Sequence, residues 1–145
     1  VTMHRLDDAF DPVGVWRLVA YYDVDEAGRT SDGPLGSAPQ GMLVYTADGH
    51  LSVSMMRALD GAGGGTETFM GYAGRWHLEG ARMVHEVAVS AHPHIVGTDM
   101  VREVELDGED LLLGGTAQIE GRSQRRLLRW RRAAAFERTG APAAT

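Results

Sequence analysis

The stretch from Gly41 to Met56, GMLVYTADGHLSVSMM, commits the chain to a β fold more firmly than any other. Two runs of strand-forming residues flank Ala47-Asp48-Gly49-His50, and Asp-Gly between such runs is a strong hairpin signal. Asp48 tolerates a left-handed backbone and Gly49 takes one without steric cost, so the chain can reverse there and pair with itself. In the second arm Leu51, Val53 and Met55 alternate with Ser52 and Ser54, an apolar row on one face and hydroxyls on the other. The first arm leaves the inward face open, with Tyr45 and Leu43 sharing one side of it.

The rest of the chain repeats this design. Val15 to Val24, Thr68 to Leu78, Arg82 to Ser90, Val101 to Leu106, Leu111 to Thr116 and Arg125 to Arg132 read as strands. Turns fall at Glu79-Gly80 and at Asp107-Gly108-Glu109-Asp110. About eight strands at roughly 8–12-residue spacing, without a long helical period, predict an all-β antiparallel meander, closed as a barrel or folded as a sandwich. Closed, eight strands leave an interior for side chains or one small ligand.

At 145 residues the chain makes a single domain, 1–145, with its core over 13–132. Residues 1–13 read as a frayed or short helical lead-in, and Ala133 to Thr145 as a turn of helix and a disordered Ala/Pro end. Ala27 to Gln40, rich in Gly, Pro and Ser, is long enough to be a lid over a cavity, and Asp60 to Gly65 is the most flexible stretch. The chain has no Cys, so disulfides and thiolate metal sites are excluded. No run approaches the ~20 apolar residues of a spanning helix, and the N-terminus lacks the apolar core of a signal peptide. A soluble cytoplasmic protein is the expectation.

A net charge of −6 argues against a general nucleic-acid or anionic-membrane binder. All 14 basic residues are Arg, which with the abundant Ala and Gly suggests GC-rich coding, as in an actinobacterium. Arg122, Arg125, Arg126, Arg129, Arg131 and Arg132 form a basic cluster, but aromatic residues are not interleaved along it as a single-strand binder requires. Arg facing the acidic remainder of the chain is the simpler account.

Gly14-Val15-Trp16 near the start and Trp130-Arg131-Arg132 near the end resemble the closure signature of lipocalins, in which an Arg of the last strand covers a Trp of the first. More broadly, GVWRLVAYY, PLGSAPQGMLVYTADGHLSVSMMR, YAGRW, VHEVAVSAHPHIVGTDMVREVELDGEDLLL and LLRWRR together resemble the bacterial lipocalin-like domain family over residues 13–132. The resemblance implies an eight-stranded antiparallel up-and-down barrel with a central cavity, closed by Trp16 and Arg132. Similar small barrels in actinobacterial natural-product clusters act as cofactor-free cyclases, Diels–Alder-type enzymes among them. By that resemblance a hydrophobic, polyketide-like molecule is the expected partner.

Alternation selects what would line such a cavity. Met83, His85, Val87 and Val89 form the more apolar row of their strand, and Met100, Arg102, Val104 and Leu106 that of the next. Tyr22 shares a face with Trp16, and Tyr72 shares one with Trp76. His85, Arg102 and Tyr22 are therefore the candidate catalytic groups, to polarise a ligand oxygen or shuttle a proton. Tyr45, Met55, Tyr72, Trp76, Met83 and Met100 are candidate ligand contacts. The plainer account makes Arg102 a structural ion-pair partner and His85 a satisfied core histidine.

His92-Pro93-His94, with Asp99, is similar in spacing to a cupin metal site, but no His follows His94 to complete it. Ser52 and Ser54 lack the glycines of a nucleophile elbow. Neither a metal nor another cofactor is expected. A cofactor-independent cyclase or isomerase is the leading expectation. A passive carrier or sequestration protein and a filled barrel that acts as an interaction module are the rivals, and the oligomeric state, a homodimer included, stays open.

Overall fold

The computed structural model describes residues 3–5, 10–58 and 69–135. Its strands are β1 (Met3–Arg5), β2 (Gly14–Val24), β3 (Thr30–Asp32), β4 (Gln40–Tyr45), β5 (His50–Met56), β6 (Phe69–Glu79), β7 (Arg82–Ser90), β8 (Asp99–Asp107), β9 (Asp110–Ile119) and β10 (Arg122–Arg132). Eight of them close a ring in the order β2-β4-β5-β6-β7-β8-β9-β10, all pairs antiparallel, with β10 returning to β2. The fold is an eight-stranded antiparallel β-barrel.

The hairpin around Gly49 shows how local chemistry sets the register. Gly49 donates to the Thr46 carbonyl at 3.2 Å, Thr46 donates to the His50 carbonyl at 2.9 Å, and Gly49 has φ +91°. This three-residue loop ends in a glycine bulge, and it sets Leu43 opposite Val53 and Tyr45 opposite Leu51. All four are buried, which settles the inward face of the first arm.

The lead-in departs from the expectation of a frayed or helical segment. Met3–Arg5 instead pair with the end of β8, Met3 opposite Asp107, on the edge that β7 leaves free. The expected lid over 27–40 is likewise partly strand: β3 pairs with Tyr22–Val24, and Leu35 is buried in the core. Residues 133–135 have no regular structure, and the Gly-rich stretch 60–65 lies outside the described residues, as does 136–145.

Two bulges shift the alternation. Trp130 pairs with Leu18 but Arg129 with Ala20, so Val19 is the extra residue of β2. The inward row of β2 therefore runs Trp16, Leu18 and then Tyr21, Asp23, and Tyr22 turns to the other face. In β7, Ala88 is extra between Val87, opposite Gly74, and Val89, opposite Ala73. Val89 is exposed as a result, not inward as strict alternation implies. Gly74 permits this crossing, since a Cβ there would collide with the Glu86 carbonyl oxygen.

The two ends of the barrel differ. At one, the β4–β5, β6–β7 and β8–β9 turns gather around a packed core of Trp16, Tyr45, Leu51, Met83 and Leu111. At the other, longer connections such as 91–98 surround an interior that side chains do not fill.

Candidate functional site

That unfilled interior is a cavity of about 310 Å³, a volume suited to a metabolite-sized ligand. Its wall is mainly apolar: Leu43, Val53, Met55, Met70, Leu113 and Leu128. Tyr21, Tyr72, His85 and Arg102 supply the polar groups of the interior, and Trp130 also lines it. Pro93–Ile95, a 3-10 turn between β7 and β8, brings His92, His94 and Ile95 to the same cavity.

His85 is the centre of the polar arrangement. On β7 it faces inward opposite Met100 of β8 and beside β6, and it is only 2 % exposed. Its Nε2 lies 2.6 Å from the Tyr45 hydroxyl and its Nδ1 2.7 Å from the Tyr72 hydroxyl. Behind it, Trp76 packs on the Tyr45 ring with centroids 5.2 Å apart and donates its indole N–H to the Thr46 carbonyl at 3.0 Å. Burial, aided by the Arg102 cation, pushes the His85 pKa down to about 3, so the imidazole is neutral at pH 7. Burial also pushes Tyr72 up to about 12, outweighing the opposite pull of Arg102, and raises Tyr45 well above its usual value. All three groups are uncharged and act through hydrogen bonds.

Arg102 projects from β8 into this setting. Its Nη1 donates to the Val101 carbonyl at 3.2 Å, and among the described residues no carboxylate lies within ion-pair distance of it. The other interior cation contrasts with it. Arg126 grips Asp23 through Nε at 2.8 Å and Nη2 at 3.1 Å, beside Tyr21. Burial raises the Tyr21 pKa against the pull of Arg126 and Arg102. Arg102 is thus a cation at the rim of a mainly apolar cavity, without a carboxylate partner among the described residues.

The packed end is sealed by a different contact. Trp16 is fully buried and donates its indole N–H to the Pro12 carbonyl at 2.9 Å. The Arg132 guanidinium lies over its ring, Cζ 4.2 Å from the centroid, and bonds the carbonyls of Val13 and Asp11. Gly14 makes room, since a Cβ there would stand 2.9 Å from Arg132 Nη1.

A family model described as a lipocalin-like domain matches residues 13–60 and 65–133. The chain belongs to the lipocalin-like domain family. The match breaks only within the Gly-rich stretch, and the closed barrel with its small-molecule cavity is the architecture the family name describes. No curated protein matches the chain.

Within this lipocalin-like barrel the candidate residues fall into three groups. Met55, Tyr72, His85, Met100 and Arg102 line the cavity together. Tyr45 and Trp76 stand behind His85, and Met83, fully buried, belongs to the packed end; none of the three lines the cavity. Tyr22 does not line it either, because the Val19 bulge gives its place to Tyr21. His85 itself differs from the expected direct contact, as both of its nitrogens are already bonded to tyrosines.

Alternation also passed over Trp130, whose indole N–H is buried without a partner among the described residues. His92 and His94, weighed as metal ligands, lie at the cavity with ring centroids 6.1 Å apart. Among the described residues no three His, Asp or Glu side chains gather as a metal site. Besides Arg126, three arginines of β10 meet acids: Arg129 bonds Asp107 and Asp110, Arg131 bonds Asp110, and Arg125 lies near Glu103 and Glu105. No helix of the described residues is long and apolar enough to cross a membrane.

Proposed function

We propose that the barrel binds one small, largely apolar molecule carrying a carbonyl or carboxylate oxygen and promotes its ring closure, isomerisation or dehydration without a cofactor. The observation that carries this reading is Arg102, a guanidinium at an apolar cavity with no carboxylate partner among the described residues, on the same wall as Tyr72 and His85. A wall meant only for hydrocarbon has no use for a half-buried guanidinium that no carboxylate pairs. An oxygen that gathers negative charge as bonds rearrange is stabilised by it, and more strongly in a dry site than in water.

The apolar walls supply the other half of the chemistry. Folding a flexible chain against Leu43, Val53, Met55 and Leu128 brings its reacting ends together, and such positioning can remove several kcal/mol of barrier, up to about 7–11 in full bimolecular cases. A neutral His85 and a protonated Tyr72 suit polarisation rather than proton abstraction by a tyrosinate. Linear polyketide-like ketones and keto acids fit these demands.

The test incubates wild type and Arg102→Met with a panel of such ketones and keto acids and follows the products by mass spectrometry. We expect conversion to a product of equal mass, or one lighter by water. Arg102→Met should stay folded and lose about 1.5–3 kcal/mol of transition-state stabilisation, tenfold or more in rate. Tight binding without conversion would make the protein a carrier, a role the apolar wall alone could serve. Failure to bind any member would end the small-molecule reading.

A further inference from the structure

Tyr45 does not line the cavity, yet its hydroxyl decides what the cavity presents. A neutral imidazole has one N–H and one bare nitrogen, so of the two tyrosines bonded to His85 one must donate to the ring and the other accept from it. The two choices differ in where the last hydroxyl hydrogen ends.

Suppose Nε2 carried the proton. Tyr45 would then accept it, and the Tyr45 O–H would be left in the packed end, 1 % exposed, with no acceptor but His85 among the described residues. A hydroxyl orphaned in an apolar interior is unfavourable. With the proton on Nδ1 instead, Tyr45 donates to Nε2 and His85 donates to Tyr72 Oη. The spare hydrogen now belongs to Tyr72, which lines the cavity, where a ligand can accept it.

We propose that His85 is the Nδ1–H tautomer, held so by Tyr45, and that Tyr72 directs its O–H to a carbonyl or carboxylate oxygen of the ligand. The inference rests on the small-molecule reading above and gives it a direction: the chain of hydrogen bonds runs from Tyr45 through His85 to Tyr72 and out to the ligand. Aligned bonds of this kind polarise one another, so Tyr72 donates more strongly than an isolated phenol. Tyr72 is a catalytic residue beside Arg102. His85 and Tyr45 are positioning residues that act through it.

The ring nitrogens of His85 in ¹⁵N-labelled protein report the tautomer directly. We expect the proton on Nδ1 in wild type and, in Tyr45→Phe, an Nε2 resonance moved downfield, toward a bare nitrogen that accepts no hydrogen bond. A proton on Nε2 in wild type, or an Nε2 resonance that Tyr45→Phe leaves unmoved, would overturn the inference. A second arm compares 2-acetylnaphthalene with 2-ethylnaphthalene, of similar shape but without the acceptor. Wild type should prefer the ketone by tenfold or more, Tyr72→Phe should lose that preference, and Tyr45→Phe should weaken it although Tyr45 is outside the cavity. A ketone preference that survives Tyr72→Phe would remove Tyr72 as the donor. Should neither naphthalene bind while the tautomer is as assigned, the small-molecule reading and the assignment of Tyr72 to a ligand fail, and the internal direction of the hydrogen bonds stands.

Discussion

At His85, one set of contacts hides the side chain, keeps it neutral and makes its protonation costly. Its pKa falls from 6.5 to about 3 through burial and the Arg102 cation. Between those values the unfolded chain takes up a proton that the folded chain refuses, so stability drops as pH falls. The slope is at most about 1.4 kcal/mol per pH unit, and above the unfolded value the group contributes none. Urea unfolding near pH 7 and again near pH 5, above the ordinary carboxylate range, isolates this effect. Wild type should lose more stability over that interval than His85→Gln, which keeps polar atoms at the site and does not titrate. Equal losses in the two proteins would mean that His85 titrates freely in the folded state.

Among the elements, the seam between β2 and β10 joins the ends of the barrel sequence and carries the contact between Trp16 and Arg132. Trp16→Ala should cost about 3–5 kcal/mol in urea unfolding as a fully buried aromatic deletion. Arg132→Met, which removes an exposed cation from the indole face and two bonds to carbonyls, should cost about 1–2 kcal/mol. A loss below about 1 kcal/mol for Trp16→Ala would contradict its burial. Gly14, Trp16 and Arg132 were legible as a sequence signature, and the hairpin at Asp48-Gly49 was legible because turn chemistry is local. The bulges were not, since a bulge is decided by the partner strand. Nothing in Val19-Ala20-Tyr21-Tyr22 marks the extra residue that exchanges Tyr22 for Tyr21, and only Gly74 hints at the one at Ala88. β1 and β3 escaped for a related reason: they are short segments paired to edges that longer strands leave free. Alternation did turn His85 and Arg102 inward, but the bond from His85 to Tyr45 spans 40 residues and belongs to barrel closure.

In the whole molecule, the division into a packed end and a hollow end separates stability from binding. Met83, fully buried among the packed residues, and Met100, half-buried on the cavity wall, sit on neighbouring strands and test that division. Met83→Ala empties a filled site and should cost about 2–5 kcal/mol. Met100→Trp places extra bulk in empty space, so it should change unfolding stability by less than about 1 kcal/mol while narrowing the cavity. A ligand that binds only the folded state stabilises it by about 2.7 kcal/mol at a hundredfold excess over its dissociation constant, which a thermal scan reads as a rise in Tm. Wild type scanned with 2-acetylnaphthalene should show that rise, and Met100→Trp a smaller one. Because Met100 bonds to none of Tyr45, His85 or Tyr72, the loss would come from occupied volume and not from a disturbed hydrogen-bond chain. If Met100→Trp instead unfolds as readily as Met83→Ala, the space beside Met100 is already filled in solution, and the hollow end on which binding depends does not exist there.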